Sequence, residues 1–165
     1  IGTPSPDNTQ VRMSDGVLFF ETGALAPNVT VDNAVFDMVA IDAGIKYKGF
    51  ALHTEFYNRI LSDFESDGPT PISSINDKGY SLQALYMLVP KVLCVYGVHS
   101  ALIDEFKRNP YEIGGGVNIY PYKSRSWRIN VQGMYVHKSA AGGTFGLYGA
   151  GQTGGTFTIG TDILL

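Results

Sequence analysis

The chain has 165 residues, a net charge of −3 and one cysteine, with 44% apolar, 12% aromatic and only 16% charged residues. This composition excludes a disordered chain, an intrachain disulfide framework and, since no basic run is present, a nucleic-acid-binding protein. The sequence contains no stretch of 18 apolar residues, so no membrane-spanning helix is predicted. The charged fraction nevertheless lies well below the ~25% usual for soluble domains.

Apolar and polar residues alternate with a period of two from residue 33 onward, which predicts an all-β chain. Residues 11–24 fit either an eighth strand or an ordered loop. The seven predicted strands lie at 33–48, 50–61, 79–90, 91–102, 111–122, 126–138 and 156–165. Short turns at Lys48-Gly49, Pro90-Lys91 and 123–125 alternate with long loops at 62–78, 103–110 and 139–155. This alternation predicts an antiparallel up-and-down meander, in which every second connection lies at the same end.

Apolar residues face each other across the predicted tight turns, which fixes the expected register. The expected cross-strand pairs are Ile41–Phe56, Ile45–Leu52 and Tyr47–Phe50 at the first turn, and Tyr86–Val95 and Leu88–Leu93 at the second.

The two faces of the predicted sheet differ in polarity. One face is apolar, interrupted by Asp37 and by His99 at a strand end. The other carries the candidate lumen residues Asp42, Lys46, His53, Glu55, Arg59, Gln83, Glu112, Asn118, Arg128, Asn130, Gln132 and Asp162. An open surface usually carries denser Lys and Glu, so this mixed, glycine- and tyrosine-rich face indicates the wall of a narrow, water-filled lumen.

The strands are about ten residues long, the length that a tilted strand needs to cross hydrocarbon. Tyr47, Phe50 and Trp127 lie beside the short turns, where a lipid-facing aromatic girdle is expected. A soluble barrel with an apolar interior, such as a lipocalin, predicts the same alternation. Strand length, girdle and low charge favour a transmembrane β-barrel over that alternative.

Three stretches resemble a known family: DAGIKYKGFALHTEFYNR, YEIGGGVNIYPYKSRSWRINVQGMYV and DGVLFFETGALAPNVTVDNA. They resemble the C-terminal half of bacterial outer-membrane porins of the phosphate-selective porin O/P type. The resemblance implies a barrel of about 16 strands in the outer-membrane lipid, often a homotrimer, that passes small hydrophilic solutes or ions by diffusion. Residues 1–165 are then expected to be one domain, the C-terminal fragment of that barrel; a complete small barrel is the alternative.

Two features depart from the family pattern. Gly160, Ile163 and Leu165 stand at the end of the chain, where such barrels usually finish on an aromatic residue. The candidate lumen cations Lys46, Arg59 and Arg128 are balanced by acids, whereas a phosphate-selective pore needs clustered basic residues. Weak ion selectivity, tilted slightly to cations, is therefore expected.

No catalytic, metal or cofactor site is predicted. His53 and Glu55 share a face but lack a third ligand, and the GxGxxG match at 149–154 precedes a strand instead of a helix. Asp42 and Glu55 face each other and could support acid–base chemistry, but a polarised pore wall needs such residues equally. The expected function is a passive outer-membrane channel and not an enzyme; the alternative is a non-transporting β-barrel with a ligand-binding or structural role.

Overall fold

The computed structural model describes residues 11–140 and 149–164, so the predicted strand residue Leu165 lies outside the described part. The described strands form one antiparallel sheet in chain order, which confirms the all-β, up-and-down meander. They are β1 (Val31–Tyr47), β2 (Phe50–Ser66), β3 (Ser74–Val89), β4 (Leu93–Ile103), β5 (Tyr111–Ile119), β6 (Trp127–His137) and β7 (Gly154–Ile163). The sheet is open, with β1 and β7 as its edge strands. Closure into a barrel and location in a membrane therefore remain predictions.

The first hairpin has the predicted two-residue turn. Lys48 and Gly49 both have positive φ, 44° and 86°, as in a type I′ turn, whose twist matches that of the flanking strands. All three predicted pairs are present: Ile41–Phe56, Ile45–Leu52 and Tyr47–Phe50.

The other two connections at this end, called the short-turn end, are longer than predicted. A loop at 90–92 joins β3 to β4, and Val89 instead of Leu88 lies opposite Leu93, because the register shifts between Met87 and Val89. The proline ring holds φ near −65°, so Pro90 cannot occupy the first position of a type I′ or II′ turn. The predicted pair Tyr86–Val95 is present. Strand β5 ends at Ile119 and not at 122, two residues before Pro121, which has no N–H to donate to a ladder.

At the opposite end, called the long-loop end, the predicted loop at 62–78 is mostly strand. β2 continues to Ser66 and β3 begins at Ser74, which leaves a connection of residues 67–73. Asp63 has a positive φ of 52° and coincides with a register shift against β1. The extension forms because Leu61 and Ile75 become buried, at 0% and 1% exposure. Leu61 is the last residue of the predicted second strand, whereas Ile75 lies in the predicted loop, where the acidic and Ser/Pro-rich composition concealed its core position.

Residues 11–30, called the front segment, form an ordered loop and not an eighth strand. Its only strand-like feature is an isolated bridge between Arg12 and Leu18. Met13, Phe19 and Phe20 of this segment form the described hydrophobic core together with Val31, Ala34, Leu61 and Ile75. Leu61 is two residues from Arg59 on β2, so the two side chains lie on the same face and this core lies on the polar side of the sheet.

The apolar face of the sheet has no cover among the described residues. Ile41, Ile113 and Ile159, on three different strands, are 66%, 50% and 69% exposed. The sheet thus buries part of its polar face and leaves its apolar face bare, the reverse of a soluble sheet.

Candidate pore-lining face

All twelve predicted lumen residues lie on the polar face. Side chains alternate along each strand, and the registers continue this alternation from β1 to β7. The set comprises Asp42, Lys46, His53, Glu55, Arg59, Gln83, Glu112, Asn118, Arg128, Asn130, Gln132 and Asp162. Asp42 lies directly opposite Glu55, as predicted.

Two of the three candidate lumen cations are neutralised by ion pairs. Arg128 on β6 pairs with Asp162 on β7, with 2.6 Å between Nη2 and Oδ2. Arg59 on β2 pairs with Asp77 on β3, whose side chain is 8% exposed. Asp77 was missed because it falls in the stretch predicted as a loop. Lys46 forms no ion pair within the described residues.

The candidate lumen acids are less compensated than the cations. Asp42 and Glu55 form no ion pair within the described residues, and Glu112 accepts a hydrogen bond from the Ser100 hydroxyl at 2.8 Å. Among the candidate lumen residues, three carboxylates and one cation, Lys46, therefore have no ion-pair partner within the described residues, and the unpaired charge of the set is negative.

A hydrogen-bonded amide cluster covers β5, where the polar face has glycines. The Asn130 amide donates to Asn118 Oδ1 at 2.9 Å and to the Tyr96 hydroxyl at 2.8 Å. The Tyr96 hydroxyl donates to Gln132 Oε1, also at 2.8 Å. A Cβ at Gly116 would lie 2.7 Å from that hydroxyl oxygen, so the glycine makes room for the tyrosine. The cluster holds Tyr96 flat against the wall.

The front segment crosses the polar face at the long-loop end. Arg59 Nη1 donates to the Arg12 carbonyl at 2.7 Å, which ties the segment to β2. Phe19, fully buried, packs against Phe64 with ring centroids 5.2 Å apart. The segment covers part of the polar face at this end, and no periodicity in its sequence signals this placement.

An ionic cluster fastens the far side of the front segment to the loop at 104–110. The Asp104 side chain is fully buried and accepts hydrogen bonds from the Ser14 hydroxyl and from Arg108, at 2.8 Å from its N–H and 2.6 Å from Nε. Arg108 also pairs with Asp15. Burial alone would raise the pKa of Asp104, but the bonds from Ser14 and Arg108 outweigh it and lower the pKa below its usual value. We call these four residues the front latch.

An open cavity of about 580 Å³ lies at the short-turn end of the polar face. Its charged lining consists of cations from the turns and strand ends, namely Lys46, Lys48, Lys91, Lys123 and Arg125. No carboxylate lines it within the described residues. Each connection at this end contains a basic residue, which is the sequence signal for this cationic lining. The prediction considered only residues within the strands and therefore missed it.

The predicted girdle residues lie at the short-turn end. The Tyr47 ring has the Lys48 ammonium 5.2 Å from its centroid, and Phe50 is opposite Tyr47. Trp127 stacks obliquely on Tyr122 at 5.5 Å and donates from Nε1 to Thr161 Oγ1 at 2.8 Å. Within the described part of the chain, no cluster of metal-ligating side chains occurs, and no helix has the length and apolarity to cross a membrane.

No protein-family model, curated protein or solved structure matches the chain. The geometry of the sheet and the chemistry of its two faces therefore carry the functional inference.

Proposed function

We propose that the chain forms part of the wall of a water-filled channel in the outer membrane of a bacterium, which small hydrophilic solutes or ions cross by passive diffusion. The observation that carries the proposal is the inverted sheet: its apolar face is bare, with Asp37 and Lys78 near the long-loop end as charged exceptions, and most of its charged side chains and its described core lie on the other face. Contiguous bare apolar surface of this extent is rare on soluble monomers and typical of a surface covered by lipid or a partner.

The position of the front segment argues against a soluble barrel with an apolar interior. Such a barrel would turn residues like Ile41 and Ile159 inward, where any plugging loop would pack on them. Instead, the front segment packs over Leu61 and Ile75 on the polar side, and Ile41 and Ile159 stay bare. The front segment thus lies on the polar side of the sheet, as a loop folded into the interior of a channel would.

The spacing of aromatic residues along β6 is close to the height of the apolar band of a transmembrane barrel. On β6, Trp127 and Tyr135 are both on the apolar face and are eight residues apart, which is roughly 27 Å along a strand. A tilt of about 40° reduces this to roughly 20 Å, close to the ~25 Å apolar band between the two girdles of a transmembrane barrel. A wider barrel would also give β1 and β7 partners for their open edges.

Membership in the phosphate-selective porin O/P type, and the trimeric assembly that this class implies, belong to the same proposal. The phosphate preference is not carried over, because the wall at mid-strand has the unpaired carboxylates Asp42 and Glu55. On the polar face, the described residues form a cluster of basic side chains without carboxylates at the short-turn mouth, so we propose a weakly selective channel.

Planar-bilayer recording on the full-length protein tests the proposal. We expect stepwise conductance increases on insertion. The control is the same preparation heated until its β-structure signal in circular dichroism is lost, which should give no steps. Protein that is folded, lipid-inserted and silent would overturn the channel and favour a non-transporting barrel, in which the front segment closes the interior.

A further inference from the structure

A row of stacked rings crosses four strands on the apolar face near the long-loop end. His99 on β4 lies between Tyr80 on β3 and Tyr111 on β5, with ring centroids 5.5 and 6.2 Å away and the planes within 18° of parallel. Tyr111 in turn contacts His137 on β6 at 5.0 Å and Tyr135 at 6.2 Å. These five residues are called the histidine row. It contains two of the three histidines of the chain.

A cation lies beside the row on the same face. Lys78, two residues before Tyr80 on β3, is exposed; Lys138, also exposed, follows His137 in the chain just beyond the end of β6. The apolar face of β3 to β6 carries no carboxylate. The adjoining loop adds the exposed Glu105 and Lys107, whose charges cancel. At the rim of an apolar band, this row offers ammonium and imidazole N–H groups together with tyrosine hydroxyls.

These groups are donors without a described acceptor. No tyrosine hydroxyl of the row, and neither imidazole, makes a hydrogen bond to another described residue, so their polar ends are available to a ligand. At the edge of a lipid-facing band, the ligand groups with matching charge and geometry are lipid phosphates. Imidazole is also the type of side chain that ordinarily gains charge between about pH 8 and pH 5.

We propose that the histidine row, with Lys78, binds the phosphate groups of anionic membrane lipids, and that the binding strengthens on mild acidification. The inference rests on the proposed function, since it requires the apolar face to lie in a bilayer. It adds a site for a defined chemical class of partner: an anionic lipid whose phosphate lies against the row while its chains cover the apolar face below.

The test uses the full-length protein in phosphatidylcholine vesicles that contain traces of spin-labelled lipid. Electron paramagnetic resonance gives the fraction of label that is immobilised on the protein, and hence the affinity for phosphatidylglycerol relative to phosphatidylcholine. The phosphodiester of phosphatidylglycerol keeps one negative charge over the range used, so any pH effect comes from the protein. We expect the relative affinity to rise roughly two- to fivefold between about pH 8 and about pH 5.5.

The decisive variant is H99Q/H137Q, in which the rise with acid should vanish. H99F/H137F removes the same charges but keeps two stacked rings. If the imidazole charge and not ring stacking causes the pH effect, this variant should also lose the rise with acid. The matched control is His53→Gln, since His53 lies on the polar face of β2, and it should keep the full pH effect. K78Q should lower the relative affinity at about pH 8.

Four results would go against the inference, and they can be told apart. Immobilised lipid with no preference for phosphatidylglycerol, or an equal acid response in H99Q/H137Q and wild type, would overturn the lipid site and leave the channel intact. Loss of the response in His53→Gln would move the effect to the polar face. Folded protein that immobilises no lipid at all would overturn the proposed function itself.

Discussion

Replacing Asp104 by asparagine should loosen the front segment without unfolding the sheet. The Asp104 carboxylate accepts three hydrogen bonds, from Ser14 and twice from Arg108, and its side chain is fully buried. Asparagine has the same size as aspartate but no charge. If its NH₂ group takes the place of Oδ2, that group meets the Ser14 hydroxyl and Arg108 Nε, which donate to Oδ2 in the wild type. Breaking a buried pair in this way typically costs about 3–5 kcal/mol. Arg108 keeps Asp15 as a partner and is 22% exposed, so we place the local cost near 3 kcal/mol.

Amide hydrogen exchange measures this cost where it should appear. The Gly16 N–H, which donates to the Met13 carbonyl at 2.9 Å, lies beside the front latch. A local loss of about 3 kcal/mol should speed its exchange roughly 100-fold. The Phe19 N–H, which donates to the Val11 carbonyl at 2.9 Å in the apolar part of the segment, should speed up much less.

Asp162→Asn is the matched control, because it makes the same chemical change in an ion pair whose partners are 46% and 59% exposed. Exposed pairs contribute about 0–1 kcal/mol, so exchange in the front segment should not change. If Gly16 keeps its wild-type exchange rate in Asp104→Asn while the sheet stays protected, the ionic cluster does not hold the segment and the apolar contacts alone do.

Three further perturbations test the pH dependence of the latch, the assignment of the faces and the charge of the wall. Because the pKa of Asp104 is lowered in the folded protein, its contribution is complete above the ordinary aspartate value of about 3.9 and is lost only as the pH falls through the lower folded value. Protection of the front segment should therefore stay constant from neutral pH to about pH 4, fall below it, and show no such step in Asp104→Asn. Ile41→Arg should destabilise the lipid-inserted protein by about 2–4 kcal/mol in a urea titration, whereas Ala40→Arg, one residue away on the polar face, should cost far less; equal costs would mean that the faces are assigned wrongly. D42N/E55Q should shift the reversal potential in a salt gradient toward anions, and strong anion selectivity already in the wild type would refute the acidic wall.

Local chemistry made the strand faces predictable. The positive-φ pair Lys48-Gly49 and the strict alternation around it determine the first hairpin, since a slip by one residue would turn Ile41 and its neighbours to the other face. A lone proline was enough to break the same reasoning at the second turn, because Pro90 cannot adopt the dihedral angles of a two-residue turn of that type.

The front latch lay beyond sequence reasoning for a different reason. Ser14 and Asp104 are 90 residues apart in the chain, and neither position belongs to a periodic pattern that would bring it to a particular face. Asp77 was hidden in a related way: the residues around it have turn-forming composition, and only burial against the front segment makes them a strand. Long-range contacts of this kind become visible only once the sheet is assembled.

The charges of the polar face acquire their meaning from this assembly. Counted along the sequence, the wall is near balance, but Arg59 is engaged by Asp77 and Arg128 by Asp162. A paired charge presents a weak dipole to a passing ion, whereas an unpaired charge attracts or repels it, so the wall at mid-strand acts as an acidic surface. The cavity at the short-turn end, lined by cations such as Lys91, has the opposite sign. In the proposed channel, a cation is therefore favoured along the wall and opposed at that mouth, and an anion meets the reverse. This is the physical reason to expect weak net selectivity.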